Sequence, residues 1–324
     1  MTSIKDVARI AGVSVATVSR VLNDKGYVGQ RTREKVEKAI KETSYKPNEV
    51  ARSLFKKQSS TIGLIVPDIM NPFFTELARA VEDMATKLGY NVILCNSDGN
   101  GDKEQAYLDV LKQQYVNGII VSSNTLTAQQ VEELNIPVVS IDREISKGLP
   151  TIVVENKKGA IMATRYLQSK GCKHIGHIRG SYGVVNAEER YEGYKEVVAG
   201  EAWFRESYIV EGNYDMQTAI EATAGLLRQH PEIDGIFAAN DIMAIGALKV
   251  AHQLGKKVPE ELAVIGFDGI KLSTVMTPEL TTIVQPIYKL GEVSAEMLIS
   301  LMEQQPIENT YYKLDVELIE RNST

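Results

Sequence analysis

From residue 60 onward the chain repeats one pattern, a short run apolar on both faces followed by about 10–16 residues of helical periodicity. The first series of strand-like runs is Thr61–Pro67, Tyr90–Cys95, Gly118–Ser122, Pro137–Ile141 and Thr151–Val154. A second series follows at His174–Ile178, Tyr208–Val210, Gly235–Ala238, Leu262–Phe267 and Thr282–Val284. Helical stretches such as Phe74–Leu88, Lys103–Gln114, Lys158–Lys170 and Ile242–Leu254 separate them. A strand apolar on both faces must be covered on both, so the pattern requires parallel, doubly wound sheets. Two series imply two similar α/β lobes, and a last helix at about 288–303 is expected to return to the first.

The polar residues fall at informative places. Asp142-Arg143, Asn240-Asp241 and Asp268 come directly after strand runs, Asn71-Pro72-Phe73-Phe74 follows the first strand, and Gln285 follows the last. Ligands of doubly wound sheets bind outside the carboxyl ends of the strands, so these side chains are expected to converge on a cleft between the lobes. Their chemistry suits a sugar. Asp142 and Asp268 accept from paired hydroxyls, Arg143 and Arg190 donate, and Asn240 and Gln285 do both. Phe73, Phe74 and Tyr214 offer faces for the apolar side of a ring. An Asp after a strand also caps the next helix, and Asp241 is read as the cap of the helix at 242–254.

The charge is unevenly divided. The first 60 residues hold 13 basic and 6 acidic side chains, and the rest hold 23 and 36. A net charge of −6 is therefore a head of +7 on a body of −13. Such a head suits a polyanion. Its sequence opens with Ser3 and Asp6 spaced as a capping box and an apolar stripe of Ile4, Val7, Ala8 and Ala11. Gly12 ends that helix, and Ser14 caps a second with Val15, Val18 and Leu22 on its inner face. Two short helices joined by a glycine turn form a helix-turn-helix unit, and the start of the second faces the DNA major groove. Ala16, Thr17, Ser19 and Arg20 then point outward, with Arg20 suited to a bidentate contact to guanine and Thr17 and Ser19 to phosphate or packing contacts. A third helix at about 31–43 closes the core with Val36, Ala39 and Ile40, and Asn48 caps a short helix running to Leu54 before a basic linker.

Ile4-Lys5-Asp6-Val7-Ala8, Ala11-Gly12-Val13-Ser14, Thr17-Val18-Ser19-Arg20-Val21-Leu22-Asn23 and Tyr45-Lys46-Pro47-Asn48 resemble the DNA-binding head of the LacI/GalR family. The body resembles the same family and the periplasmic sugar-binding proteins through Asn71-Pro72-Phe73-Phe74, Asp142-Arg143, Arg190, Phe237-Ala238-Ala239-Asn240-Asp241, Gly266-Phe267-Asp268 and Gln285-Pro286, most closely in the ribose branch. The resemblance implies an α/β chain in three parts. These are a three-helix helix-turn-helix domain at 1–45, a hinge helix and linker at 46–59, and a two-lobed, periplasmic-binding-protein-like effector and dimerisation domain at 60–324.

It further implies a homodimeric transcriptional repressor on a palindromic double-stranded operator, with operator specificity at Val15-Ala16. Further contacts are implied at Ser14, Asn23, Tyr45, Asn48 and Ala51, with Leu54 as a minor-groove wedge. The implied effector is a small sugar, ribose by branch, held by Phe73, Phe74, Ser123, Asp142, Arg143, Arg190, Tyr214, Asn240, Asp268 and Gln285. Sugar favours a lobe closure that draws the hinges apart. Another sugar, or a purine or nucleoside corepressor, is the alternative, and a phosphocarrier protein as second corepressor is left open. Tyr214 stands where the ribose-binding proteins have Phe, and Ser123 where they have Asn, with Asn124 adjacent.

Other classes are disfavoured. Gly99-Asn100-Gly101 begins a dinucleotide fingerprint, but Glu104 replaces its third glycine, and neither a phosphate-binding loop nor a nucleophile elbow is present. No catalytic residue, cofactor or metal site is expected. Cys95 and Cys172 read as buried free thiols suited to a reducing cytosol. The charged N-terminus argues against a signal peptide, and no run of 18 apolar residues suggests a membrane span, so a cytoplasmic protein is expected.

Overall fold

The computed structural model describes residues 3–22, 26–45 and 59–324. The chain divides into two compact units, Met1–Ser59 and Ser60–Thr324. The expected hinge helix, with Asn48, Ala51 and Leu54, and the predicted contact residue Asn23 lie outside the described residues.

In the first unit, α1 spans Ile4–Ala11 with both halves of the Ser3–Asp6 capping box formed, and Gly12 at φ 65° closes it. Helix α2 spans Val15–Leu22, and α3 spans Gln30–Thr43. Val7, Ala8, Ala11, Val18, Val21, Val36 and Ala39 form the core, with Ile4, Leu22, Ile40 and Tyr45 packed against it. Val15 is not part of the inner face that the stripe suggested. It is 39% exposed, and Val21 is buried instead.

The second unit holds two sheets. The first runs β2-β1-β3-β4-β5-β11, all parallel, from β1 (Thr61–Val66), β2 (Asn91–Asn96), β3 (Ile119–Ser122), β4 (Val138–Ile141), β5 (Thr151–Val154) and β11 (Tyr311–Leu314). The second runs β7-β6-β8-β9-β10-β12, from β6 (Ile175–Arg179), β7 (Ile209–Glu211), β8 (Gly235–Ala238), β9 (Ala263–Asp268), β10 (Thr281–Val284) and β12 (Glu317–Ile319). Only β12 is antiparallel to its neighbour. Both sheets reverse strand order beside their first strand, which opens a crevice at the carboxyl ends on each lobe.

Lobe one carries α4 (Pro72–Lys87), α5 (Gly101–Gln113) and α6 (Ala128–Leu134), and lobe two carries α7 (Asn156–Ser169), α8 (Val185–Val198), α9 (Met216–Gln229) and α10 (Asp241–Gln253). After β10 the chain returns to lobe one as α11 (Ile287–Met302), whose Ile287, Leu290 and Leu298 join Leu77 and Val81 of α4 in one core. The chain thus passes between the lobes three times, after β5, after β10 and between β11 and β12. Cys95 is buried and Cys172 half-buried, both free, so the expected burial holds for the first alone. Among the described residues no helix is long and apolar enough to cross a membrane.

Candidate ligand cavity and nucleic-acid interface

Where the carboxyl ends of the two sheets face each other lies a cavity of about 710 Å³. Nine of the ten predicted ligand residues line it: Phe73, Phe74, Ser123, Asp142, Arg190, Tyr214, Asn240, Asp268 and Gln285. Lobe one contributes an aromatic wall. Asn71 caps α4 by accepting from Phe73 N at 3.0 Å, and this fixes Phe73 and Phe74 at the helix start, their rings edge to face at 5.0 Å. Asp142 ends β4 at φ 69° and Asp268 ends β9 at φ 113°. Two carboxylates held in left-handed backbone at strand ends are strained positions of the kind that cluster at ligand sites.

Lobe two supplies a polar floor. Arg190 of α8 is 3% exposed, its Nη1 lies 3.2 Å from Asp268 Oδ1, and it also donates to Ala239 O and Asn156 Oδ1. Its guanidinium lies 3.8 Å over the Phe267 ring. Gln285 Nε2 donates to the same Asp268 oxygen at 2.6 Å. Burial pushes the carboxyls of Asp142 and Asp268 up to about 6, although Arg190 pulls both back. Tyr214, at φ 58°, donates from its hydroxyl to Asn186 Oδ1 at 2.9 Å, and burial raises its phenol. Gly180 lies beneath that ring, where an added Cβ would fall 2.4 Å from the nearest ring carbon.

Two buried atoms in this floor lack a hydrogen-bond partner among the described residues, Asn240 Nδ2 and Gln285 Oε1. One donates and the other accepts, and each awaits a group that can do the reverse.

Two sequence readings are corrected. Arg143 does not line the cavity. Its Nε donates to Ser123 O at 3.0 Å and its Nη2 to Leu126 O at 2.7 Å, so it braces the loop after β3 from behind. Asp241 is not the cap of α10. Asn240 caps it, accepting from Met243 N at 2.9 Å, while fully buried Asp241 accepts from Gly269 N and Ile270 N at 2.8 Å and holds the loop after β9.

In the head, Ser14 caps α2 by accepting from Thr17 N at 3.1 Å, and its hydroxyl lies 2.9 Å from that of Thr17. Ser14, Val15, Ala16 and Arg20 are exposed, and Thr17 and Ser19 are half-buried. Tyr45 is half-buried against the three-helix core, which gives it a packing role in the head.

The match to known families is direct. Residues 59–320 fit the profile of periplasmic binding proteins and sugar binding domain of LacI family, and residues 3–48 fit that of bacterial regulatory proteins, lacI family. The chain belongs to the LacI family. A ribose operon repressor of Halalkalibacterium halodurans is 50% identical over 324 residues, covering 100% of this chain and 97% of its own. The lac repressor dimer bound to operator and the anti-inducer ONPF superposes with a TM-score of 0.87 at 28% identity, over 99% of this chain and 98% of that one. A LacI family transcriptional regulator from Enterococcus faecium with bound ribose superposes with a TM-score of 0.73 at 29% identity, over 82% and 98%.

This chain is accordingly a LacI-family repressor, and members of the family are transcriptional regulators rather than enzymes. Sequence reasoning missed several residues of its LacI-type cavity, among them Glu104, Asn124, Asn186 and Asn213. Asn186 lies in the first turn of α8, well past the end of β6, so the strand-end rule that selected Asp142 gives no signal for it. Glu104 sits inside the first turn of α5, where that rule gives no signal.

Proposed function

We propose that the chain is a homodimeric repressor of a palindromic operator, released from DNA by ribose in the inter-lobe cavity. The observation that carries this reading is the set of polar groups around one small volume. Asp142 and Asp268 accept, Arg190 and Asn240 Nδ2 donate, Gln285 Oε1 accepts, and the rings of Phe73, Phe74 and Tyr214 border them. A furanose or pyranose presents hydroxyls on its rim and apolar faces, so it satisfies both parts at once. The ribose operon repressor at 50% identity and the ribose-bound neighbour support the same sugar.

Control of DNA binding follows from linkage. Sugar shifts the repressor off its operator only if the closed arrangement binds sugar more tightly than the DNA-bound one does. A ligand that favours the native chain also raises its melting temperature in proportion to the logarithm of its concentration over Kd. The test is a thermal-shift panel of pentoses, hexoses, nucleosides and purines on the full chain, paired with operator release by fluorescence anisotropy. Ribose is expected to stabilise the protein and release DNA. Stabilisation by a purine or a hexose with no response to ribose would overturn the assignment.

A further inference from the structure

The first turn of α5 places Glu104 under the loop that follows β3. Asn100 caps that helix, accepting from Lys103 N at 3.0 Å, and Glu104 is 2% exposed. One carboxylate oxygen has a complete structural account. Oε2 accepts from Ser123 Oγ at 2.6 Å and from Thr125 Oγ1 at 2.5 Å. Ser123 Oγ in turn accepts from Thr125 N at 3.1 Å and Leu126 N at 3.0 Å, so this half of the carboxylate fastens the loop. Arg143 holds the same loop by its carbonyls.

The other oxygen has no such account. Oε1 is buried without a hydrogen-bond partner among the described residues. Six buried side-chain atoms share that condition, and the three that belong to cavity residues are Glu104 Oε1, Asn240 Nδ2 and Gln285 Oε1. A buried acceptor left unpaired is unfavourable, and native proteins rarely keep one without a ligand or an ordered water to complete it. Asn240 and Gln285 belong to lobe two and Glu104 to lobe one, so a single ligand filling all three bridges the cleft.

A carboxylate only accepts, so the group that completes it must donate. We propose that Glu104 is a specificity-determining residue of the cavity, its Oε1 accepting from a hydroxyl of the bound sugar while Oε2 holds the β3–α6 loop. This deepens the reading of the cavity as a sugar site and rests on it. It also explains why the shorter Ser123 serves at a position where the ribose-binding proteins have Asn. The serine hydroxyl turns inward to Glu104, and the carboxylate takes over contact with the ligand.

The substitution Glu104→Gln separates the two roles, since the amide keeps an acceptor for Ser123 and Thr125 and turns the second acceptor into a donor. Isothermal titration of the full chain with ribose and with its 2-, 3- and 5-deoxy analogues provides the measurement. A hydrogen bond to a charged group corresponds to a loss of about ten- to a hundredfold in ribose affinity for E104Q. For the one deoxy sugar that lacks the hydroxyl read by Glu104, wild type and E104Q are expected to bind alike. Thr125→Val, which removes one of the two hydroxyls on Oε2 and leaves Oε1 in place, is expected to weaken all four sugars by a common factor.

Wild-type ribose affinity in E104Q would overturn the proposal, as would an equal loss for ribose and every deoxy analogue. If E104Q does not fold, Glu104→Asp, which withdraws the carboxylate, is read by the same ratios. No binding of any pentose by the wild type would remove the sugar reading and this assignment together. Normal wild-type binding with an indifferent E104Q would remove this assignment alone.

Discussion

Arg190 and Asp268 meet at 3.2 Å in the cavity floor, with side chains only 3% and 6% exposed. Asp268 Oδ1 takes hydrogen bonds from Arg190 and from Gln285, so the other carboxylate oxygen is left to face the cavity. This arrangement orients an acceptor for a ligand more than it ties the lobe together. The Asp268 carboxyl is pushed up to about 6 by burial even with the cation beside it. A pair whose desolvation outweighs its attraction is weak evidence for a role in stability.

Replacing Asp268 by Ala removes this acceptor from the ligand and also leaves buried Arg190 without its counter-charge, which lowers the stability of the fold. Two charge-assisted hydrogen bonds to sugar hydroxyls together contribute about 3 kcal/mol or more, equivalent to roughly a hundredfold in affinity. Titration calorimetry with ribose on Asp268→Ala is expected to show at least that loss, while operator binding without sugar persists. Induction by ribose at wild-type concentrations would show that Asp268 does not touch the ligand.

The same carboxyl gives stability a pH dependence of definite sign. Its folded pKa lies above the unfolded value, so the native state holds the proton more tightly. The stabilisation is fully present below about 4 and is lost as pH rises through about 6. At 1.36 kcal/mol per unit, the loss is about 3 kcal/mol for Asp268, while Asp142, only half-buried, gives less. Asp268→Asn imitates the protonated form and keeps an acceptor for Arg190 and Gln285. Urea midpoints should show Asp268→Asn more stable than wild type at pH 7.5 and equal to it near pH 4.5. An advantage that grows toward acid would reverse the sign and refute the argument.

Gly180 and Tyr214 make a steric prediction. A methyl at 180 meets ring carbons of Tyr214 at 2.4 and 2.5 Å, and Tyr214 has little room to yield because its hydroxyl is tied to Asn186. Overpacking of this kind costs about 1–3 kcal/mol. Gly180→Ala should lower the urea midpoint by a corresponding amount and weaken ribose binding as the ring is displaced into the cavity. Tyr214→Phe keeps the ring and removes only the hydroxyl already committed to Asn186, so its ribose affinity should stay within about threefold of wild type, below the worth of one neutral hydrogen bond.

Charge around the cavity predicts which sugars are refused. Asp68, Asp98, Glu104, Asp142, Asp215 and Asp268 line it, and Arg190, already paired with Asp268, is the one basic lining residue among those described. Placing a phosphate beside that many carboxylates costs several kcal/mol. Competition calorimetry should find ribose 5-phosphate at least about a hundredfold weaker than ribose. Comparable affinities would mean that the acidic lining does not set the class of ligand.

How far the sequence led can be read residue by residue. Asp142, Asn240 and Asp268 were legible because a polar residue after a doubly apolar run can only lie at a strand's carboxyl end. Asp142-Arg143 shows the limit of that rule. Adjacent residues at a strand end point apart, and Arg143 turns to the carbonyls of Ser123 and Leu126 instead. Asn240 keeps its place in the cavity and also takes the cap expected of Asp241, since both side chains accept and only the backbone path decides which reaches Met243 N. Strands β11 and β12 were missed because they are short edge strands with no fully buried residue, without the apolar signal that marked the others. Glu104 was seen only as a residue that spoils a glycine fingerprint, since its two partners come from a loop 19 and 21 residues away.

The head permits a prediction free of any sugar. Arg20 is exposed on α2, as Val15 and Ala16 are, in a unit carrying 13 basic and 6 acidic side chains within 60 residues. Phosphate neutralisation makes log K fall with log[salt] at about 0.9 per neutralised phosphate, so a dimer using this charge should show a steep slope. A side chain reading guanine bidentately contributes about 1–3 kcal/mol of discrimination. Arg20→Ala should lose that much on the cognate operator, lose far less on random DNA, and keep most of the salt slope. Anisotropy titrations on both DNAs at several salt concentrations separate these effects. A flat salt plot would refute the reading of the charge division, and an equal loss on both DNAs would make Arg20 a phosphate contact rather than a base reader.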